Sequence, residues 1–596
     1  MFKYFAVIIC LLAVFGMSTC SYAQEPLVKI EGEVPEELTK VLYLVIGEVD
    51  KNPRSYAQAR RQAEAGAKKA KSTLRSQGYY GADIQARIDE IGSVKEKVSL
   101  QPILLIQPGA QFSFKDVTIS YQKAQPNSEL NPMKVINDSK ALAKGQPAIA
   151  ANIVAAEAKI VNYLRANGYP DVRALPRKAI VDHNTQIMDV DYLISTGQRV
   201  RFGDVSLKGS AKIRPSFIND ITPFKTNDLY DGKSLNALSG RLSSTGDFVS
   251  ANAVFEDAYN GVVNADGTVT RNVLLNVEQG KQNTISSELG LSTTDGSGID
   301  IVYERRNFAG GAETLKLIAT AKTNQLGLGA TYNIPYLWRA DRSLDISGDI
   351  AREDTDAFRG ERASLMAFVS QDISSHLRAG LGLGLEASQF TEDDEDVTAL
   401  LVEGRGRLAY DTRSSILDPV SGIYVEVDIV PSFNLGSEDG AFTALELGVS
   451  GSQRVSKTLI TASRVKIGSI ISDNLETIPL NRRFFGGGGG AVRGFGFQSI
   501  SPLNESDELI GGQSTTEASA ELRYRGNSPF GAAIFADAGN VSLDQRPGLS
   551  DMRYGAGVGL RYYTGFAPLR ADIAIPLNKR DGDADFQVYI SIGQAF

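Results

Sequence analysis

From Gln282 to Phe596, 315 residues alternate between apolar and polar side chains almost throughout. A period of two is the signature of a strand, whose successive side chains point to opposite faces. Glu403, Arg405 and Arg407 alternate with Val402, Gly404, Gly406 and Leu408. Tyr424, Glu426 and Asp428 alternate with Ile423, Val425, Val427 and Ile429. The same holds for Glu517 to Arg525 against Ala518 to Tyr524, and for Tyr554 to Tyr562 against Gly555 to Tyr563. A soluble sandwich and a membrane barrel both alternate, and they differ in where the apolar face goes: a shared core in the first, lipid in the second. No apolar run reaches the roughly 18 residues that a spanning helix needs. A chain sent to a membrane without such a helix crosses it as a closed β-barrel. At roughly 20 residues per strand and turn, the stretch predicts about 16 antiparallel strands.

Export is the first clue that separates the two readings. Lys3 precedes an apolar run from Phe5 to Met17, and Ser21-Tyr22-Ala23 supplies small residues for cleavage, so residues 1–23 are predicted to be a signal peptide. A lipoprotein start at Cys20 is the alternative, and Met17-Ser18-Thr19 fits it poorly. Cys10 and Cys20 are the only cysteines, so the chain beyond residue 23 has no disulfide or thiolate metal site to offer. With a net charge of −8 and a pI near 5.3, nothing calls for nucleic acid.

The stretch between these two regions repeats itself. Thr73-Leu74-Arg75-Ser76-Gln77-Gly78, Tyr163-Leu164-Arg165-Ala166-Asn167-Gly168 and Arg241-Leu242-Ser243-Ser244-Thr245-Gly246 each read as a helix end with a glycine cap. Upstream, Ala63, Ala67, Ala70 and Leu74 have helical spacing, as do Ile153, Ala156, Ile160 and Leu164, and Leu235, Leu238 and Leu242. A strand followed by glycine closes each unit, with Gly109, Gly197 and Gly280 lying 88 and 83 residues apart. Phe114-Lys115-Asp116-Val117 and Phe202-Gly203-Asp204-Val205 open the second and third units with a shared phrase. Three α+β units of order β-α-α-β-β are predicted over 24–112, 113–200 and 201–280, followed by the barrel over 281–596.

One stretch breaks the alternation of the second half. In Arg482-Arg483-Phe484-Phe485 followed by Gly486 to Gly490 and then Ala491-Val492-Arg493-Gly494-Phe495, five glycines run into one arginine between apolar residues. Glycine lets a backbone take positive φ and lie against a wall, and arginine presents a planar fork of donors to a carboxylate. The bland reading is a solvated surface loop.

Two resemblances organise these observations. The repeated β-α-α-β-β units resemble POTRA domains, the periplasmic modules of outer-membrane assembly proteins. Val492-Arg493-Gly494-Phe495 resembles the V-R-G-[FY] signature of the BamA/TamA superfamily of outer-membrane insertion and translocation proteins. Asp411-Thr412-Arg413 with Asp418-Pro419 and Gly422, Phe535-Ala536-Asp537-Ala538-Gly539, and Arg553 to Arg561 with Gly565 and Pro568 to Leu577 resemble further segments of that superfamily, in the same order. Three front units resemble the TamA-like branch, the outer-membrane subunit of the translocation and assembly module. The resemblance implies that the glycine loop is the sixth extracellular loop, folded inward, with Arg493 meeting acids on nearby inner walls, Asp537 and Glu521. It also implies that Asp411, Arg413, Phe535 and Gly539 belong to barrel motifs. The last strand, Phe586 to Phe596 with Ile590, Ile592 and a terminal Phe596, would be an insertion signal, and the seam with the first strand (Thr284 to Ser292) a gate. Implied partners are the outer-membrane bilayer, unfolded outer-membrane or autotransporter clients and a TamB-like inner-membrane-anchored periplasmic protein. No cofactor is implied.

Three other functions stay open at this level: a two-partner-type polypeptide secretion channel, a passive porin-like barrel, and an enzyme fused to a barrel. Against the enzyme, no G-x-S-x-G or H-E-x-x-H occurs, and His183 and His376 are the only histidines. The glycine run lacks the G-K-[ST] of a phosphate loop.

Overall fold

A computed structural model describes residues 25–596 apart from 50–52, 54, 92–98, 210–211, 258–260, 293–295, 393–394 and 566. The predicted signal peptide, with both cysteines, lies outside the described residues. The chain forms two compact units. The first comprises the described residues up to Asp204 with Phe224–Ser234 and Phe255–Val273; the second comprises Val205–Pro223, Leu235–Val254 and Leu274–Phe596.

Before the barrel, each of three successive sets of elements has two helices ahead of its closing strands, with short strands added to the expected β-α-α-β-β order. In the first repeat they are β1 (Glu25–Pro26), β2 (Lys29–Glu31), α1 (Glu36–Ile46), β3 (Glu48–Val49), α2 (Tyr56–Ser76), β4 (Asp83–Ile91) and β5 (Ser99–Gln107). Next come β6 (Ser113–Tyr121), α3 (Pro132–Asp138), α4 (Ala150–Ala166), β7 (Arg173–Ala174), β8 (Lys178–Asp182) and β9 (Ile187–Ser195). The third has β10 (Val200–Gly209), α5 (Pro215–Ile221), α6 (Ser234–Ser243), β11 (Phe248–Phe255), β12 (Val262–Val263) and β13 (Val269–Gln279). Their sheets have the orders β2-β5-β4, β6-β9-β7 with β8 on β9, and β10-β13-β11 with β12 on β13. Periodicity in the sequence is the cause of the packing. Ala63, Ala70 and Leu74 of α2 are buried with Leu104 and Ile106, and Ile153, Ile160 and Leu164 of α4 with Phe114 and Tyr192. Gly78, Gly168 and Gly246 have φ of 89°, 103° and 75°, so each repeated helix ends at a left-handed residue.

The barrel opens with β14 (Asn283–Ser292), β15 (Gly296–Arg305), β16 (Thr314–Lys322), β17 (Gln325–Ile334), β18 (Arg342–Asp354), β19 (Arg359–Asp372), β20 (Leu377–Glu392) and β21 (Glu395–Asp411). It continues with β22 (Gly422–Asn434), β23 (Gly440–Arg454), β24 (Leu459–Ser472), β25 (Ser514–Arg525), β26 (Phe530–Ser542), β27 (Arg553–Tyr563), β28 (Pro568–Pro576) and β29 (Gln587–Ile592). These 16 strands pair in sequence order, and β29 closes on β14. All described pairings within the barrel are antiparallel, so the turns alternate between two ends, and residues 473–513 between β24 and β25 are the sixth connection at the end opposite the chain's entry.

One strand differs from its sequence reading. The last strand was expected to run to Phe596, but β29 stops at Ile592. Gly593 adopts φ 90° and donates to the Pro568 carbonyl at 2.8 Å. Gln594 then donates its backbone N–H to Leu417, and the Phe596 carbonyl accepts from Arg523 Nη2 at 3.2 Å. The final residues therefore leave the sheet for polar partners elsewhere on the barrel. Ile590 and Ile592 face outward, and Phe596 sits with its ring 5.4 Å from the Arg523 guanidinium. Alternation continues through the polar Ser591 and Gly593, so it carried no warning of this bend.

Inside the second unit, two turns at the entry end are fastened to residues of the third repeat. Arg214 pairs with Glu313, which is 2% exposed, and Asn307 Nδ2 donates to the Lys212 carbonyl at 2.8 Å. On the next turn at that end, the Tyr336 hydroxyl donates to the Arg241 carbonyl and lies 2.9 Å from Ser244 Oγ.

Candidate functional site

The connection after β24 does not stay outside. Val492 is fully buried, Arg493 is 2% exposed and Phe495 is 2% exposed. The close approach depends on glycines on both sides. Gly494 has φ 102°, and a Cβ there would lie 2.8 Å from the Ile575 carbonyl carbon. On β27, a Cβ at Gly555 would lie 1.9 Å from the Arg493 carbonyl oxygen, and one at Gly539 on β26 would meet Val492 at 2.6 Å. Glycines at these wall positions are what let the loop backbone reach the sheet.

Strand register explains the acids it meets. Asp537 on β26 stands opposite Ser519 on β25 and Gly555 on β27, and Asp572 on β28 stands opposite Gly559 and Tyr589. All of these point inward. Arg493 donates to Asp537 three times: from its backbone N–H at 3.1 Å, from Nε at 2.7 Å and from Nη2 at 2.9 Å. Its Nη1 donates to Asp572 at 3.2 Å, and its Nη2 to Ser519 Oγ at 3.3 Å. The guanidinium carbon lies 3.4 Å from the ring centroid of Phe535. A buried fork so held combines bidentate pairing with a cation–π contact.

Glu521 is placed differently. Its carboxylate is 3.6 Å from Arg493 Nη1, beyond hydrogen-bond reach, and accepts from Arg561 Nη2 at 2.6 Å. The buried cluster has Arg493, Arg523, Arg561 and Arg570 facing Glu521, Asp537 and Asp572. Four cations against three carboxylates make a lattice in which removing any acid leaves charge stranded. Tyr589 extends it to the seam strand: Gly494 N–H donates to its hydroxyl at 3.0 Å, and that hydroxyl donates to the Phe495 carbonyl at 3.4 Å.

The near end of the connection is pinned on the opposite wall. Arg482 pairs with Glu386 of β20 at 2.9 Å and Glu403 of β21 at 2.7 Å. Between the two anchors, Arg464 of β24 donates to the Gly490 carbonyl at 2.6 Å and pairs with Glu517 at 3.1 Å. The loop is thus a strap across the lumen, tied to β20–β21 at one end and β25–β29 at the other.

Asp411 and Arg413 form a separate pair. Arg413 binds Asp411 through Nε at 3.0 Å and Nη2 at 2.7 Å and lies over Tyr424 at 4.2 Å, in the connection between β21 and β22. From that connection Asp418 reaches Arg525 at 2.6 Å and Gln594 at 3.1 Å. Phe535 and Gly539 line the Arg493 site as described. Sequence reasoning missed Asp572, Arg561, Tyr589 and the Arg482 anchor. Asp572 was legible in parity, since Arg570 and Asp572 alternate with Leu569, Ala571 and Ile573; Arg482 had no such pattern to mark it.

The closure is uneven. Among the described residues, β14 and β15 share ten register pairs and β14 and β29 share two, Leu291 with Ile590 and Ser292 with Tyr589, with no β29 partner for Asn283 to Gly290.

A 16-stranded barrel with an apolar outer face, a polar lumen and an inward-folded loop defines a transmembrane β-barrel of the outer-membrane type. Residues 307–596 match the Omp85 superfamily domain. The outer membrane protein assembly factor BamA of Nitratidesulfovibrio vulgaris is 21% identical over 522 residues, covering 82% of this chain and 63% of that protein. The chain therefore spans less than two thirds of that relative's length. A SAM50-like protein of Schizosaccharomyces pombe is 23% identical over 424 residues, 64% of this chain and 88% of that protein. In fold, the crystal structure of BamA from Haemophilus ducreyi lacking POTRA domains 1–3 matches with a TM-score of 0.66 at 15% identity, covering 81% of this chain and 100% of that one. Residues 307–596 are thus an Omp85 superfamily domain, and together these findings support a BamA/TamA-superfamily protein of the bacterial outer membrane with its N-terminal units in the periplasm.

Proposed function

We propose that this protein assembles or exports other outer-membrane polypeptides, without covalent chemistry, by lending them a strand edge at the β14–β29 seam. The observation that carries the reading is the seam itself: β29 ends at Ile592, and among the described residues Asn283 to Gly290 of β14 have no register partner on it. Unpaired backbone groups are costly in hydrocarbon, so an entering strand needs a partner. Among the described residues, Asn283 to Gly290 of β14 are the edge on offer, and the Arg493 lattice holds the other side of the seam rigid through Tyr589. The α/β repeats act as POTRA domains in this reading, with open sheet edges that receive unfolded clients such as autotransporters. Three such repeats favour a TamA-like role with a TamB-like periplasmic partner.

A secretion channel running through the lumen is the second reading. The strap from Arg482 to Arg493 stands across that route, which favours the seam. Photo-cross-linkers decide between the two: placed at Thr284 or Ser286 of β14 they should capture a barrel client during its insertion, while Arg405 and Lys466 in the lumen stay silent. Capture at the luminal positions alone would replace this reading with the channel.

A further inference from the structure

The outer face of β15 to β19 is not smooth. Ala319, Ala330 and Gly348 form the floor of a groove of about 620 Å³, and Ile301, Leu328 and Ile350 stand beside it. The walls are open to the surroundings, with Ile301 45%, Leu328 59% and Ile350 57% exposed. Register sets them side by side on one face, Ile301 against Ala319, Ala319 against Leu328 and Leu328 against Ile350. The groove crosses five strands, about 19 Å at the usual strand spacing.

At its entry-end foot stands a cation. Arg305 shares its strand face with Ile301 and Tyr303, so it points outward, and among the described contacts it has no acid partner. Its guanidinium lies 5.1 Å from the Phe308 ring centroid. Neighbouring acids are spent on the other face, where Glu304 pairs with Arg306 at 2.6 Å and Lys316 at 3.4 Å, and Asp300 with Lys322 at 3.2 Å. Phe308 is 43% exposed, and Trp338, on the next turn at that end, is 82% exposed.

We infer that this groove and foot bind one phospholipid of the periplasmic leaflet, its acyl chain along the groove and its phosphate against Arg305. Charge complementarity selects the occupant. The ligand must be apolar for most of its length and anionic at the periplasmic end, with aromatic neighbours at headgroup depth, where tryptophan is favoured. A polypeptide strand does not fit, because β15 to β18 are each paired on both sides and have no backbone edge to offer.

Trp338 is the chain's only tryptophan, so its fluorescence reports on this place alone. The full chain in detergent is titrated with phosphatidylglycerol brominated on its acyl chains, and in parallel with inorganic phosphate. Saturable quenching by the brominated lipid is expected, with none from phosphate. Filling the groove with Ala330→Leu should weaken the lipid's half-saturation about tenfold, the scale of one lost contact region, and Arg305→Gln should weaken it while leaving an acyl-dependent remainder. Heat-modifiable migration on gels confirms that each variant is folded. Quenching that rises linearly with lipid fraction and is the same in wild type and both variants would overturn the site, leaving ordinary bilayer contact.

Discussion

Replacing Arg493 with alanine removes all three N–H donors that Asp537 receives from this residue except the backbone one, which survives only if the loop stays docked. The other acids fare better. Asp572 keeps Arg561 and Arg570, and Glu521 keeps Arg561 and Arg523. The penalty therefore falls on one fully buried carboxylate whose remaining side-chain donor is Ser519. Breaking a buried pair in this way costs about 3–5 kcal/mol, or about two to four decades in the docking equilibrium of the loop. Hydrogen exchange at the Gly494 amide, which donates to Tyr589, reads that equilibrium directly. Arg493→Ala should lower its protection by about two to four orders of magnitude. Asp537→Ala should do nearly as much, because Arg493 then retains Asp572 and Ser519 only. The double variant should be little worse than either single one, since the second removal strands nothing new. Additive losses, or unchanged exchange in Arg493→Ala, would refute the idea that this pair holds the loop inside.

Two further perturbations follow from the geometry. Gly555→Ala would put a methyl 1.9 Å from the Arg493 carbonyl and should release the loop, with a cost of about 1–3 kcal/mol for overpacking; exchange at Gly494 measures it, and an unchanged rate would show that the strap does not rest on β27. Asp247, between α6 and β11, is 2% exposed with neither carboxyl oxygen hydrogen-bonded, and burial raises its pKa to about 7, with Arg306 opposing and Glu304 and Glu313 assisting. A carboxyl whose folded pKa lies above its unfolded value stabilises least when ionised, so wild-type stability should fall as pH rises from about 4 to about 7, by a few kcal/mol at most. Asp247→Asn should flatten that slope in the melting temperature, and an unchanged slope would remove Asp247 from the pH response.

Much of this molecule was legible because its physics is local. Period-two alternation gave the barrel, and helical spacing with capping glycines gave the repeats, since each pattern reflects burial of one face by the chain itself. The superfamily resemblance implied that Arg493 meets Asp537, and parity agreed, since Asp537 shares a strand face with Phe535 and Gly539 opposite Ile534, Ala536 and Ala538. Other features depend on pairs of residues far apart in the chain. Asp572 meets Arg493 across 79 positions and Arg482 meets Glu386 across 96; parity puts Asp572 on the inner face but names no partner for it, and no periodic pattern marks Arg482. The inward bend after Ile592 was hidden for a related reason: it depends on Pro568, Leu417 and Arg523 accepting or supplying bonds that the last residues cannot announce on their own.

The claim most exposed to test is that the seam has to part. Cysteines at Leu291 and Ile590, a register pair across the seam, can be joined by oxidation and released by a reductant. In proteoliposomes holding this protein and an unfolded barrel client, folded client should accumulate with the reduced pair at the wild-type rate and stop when the pair is oxidised, returning on reduction. Full client assembly with the seam locked shut would contradict the account.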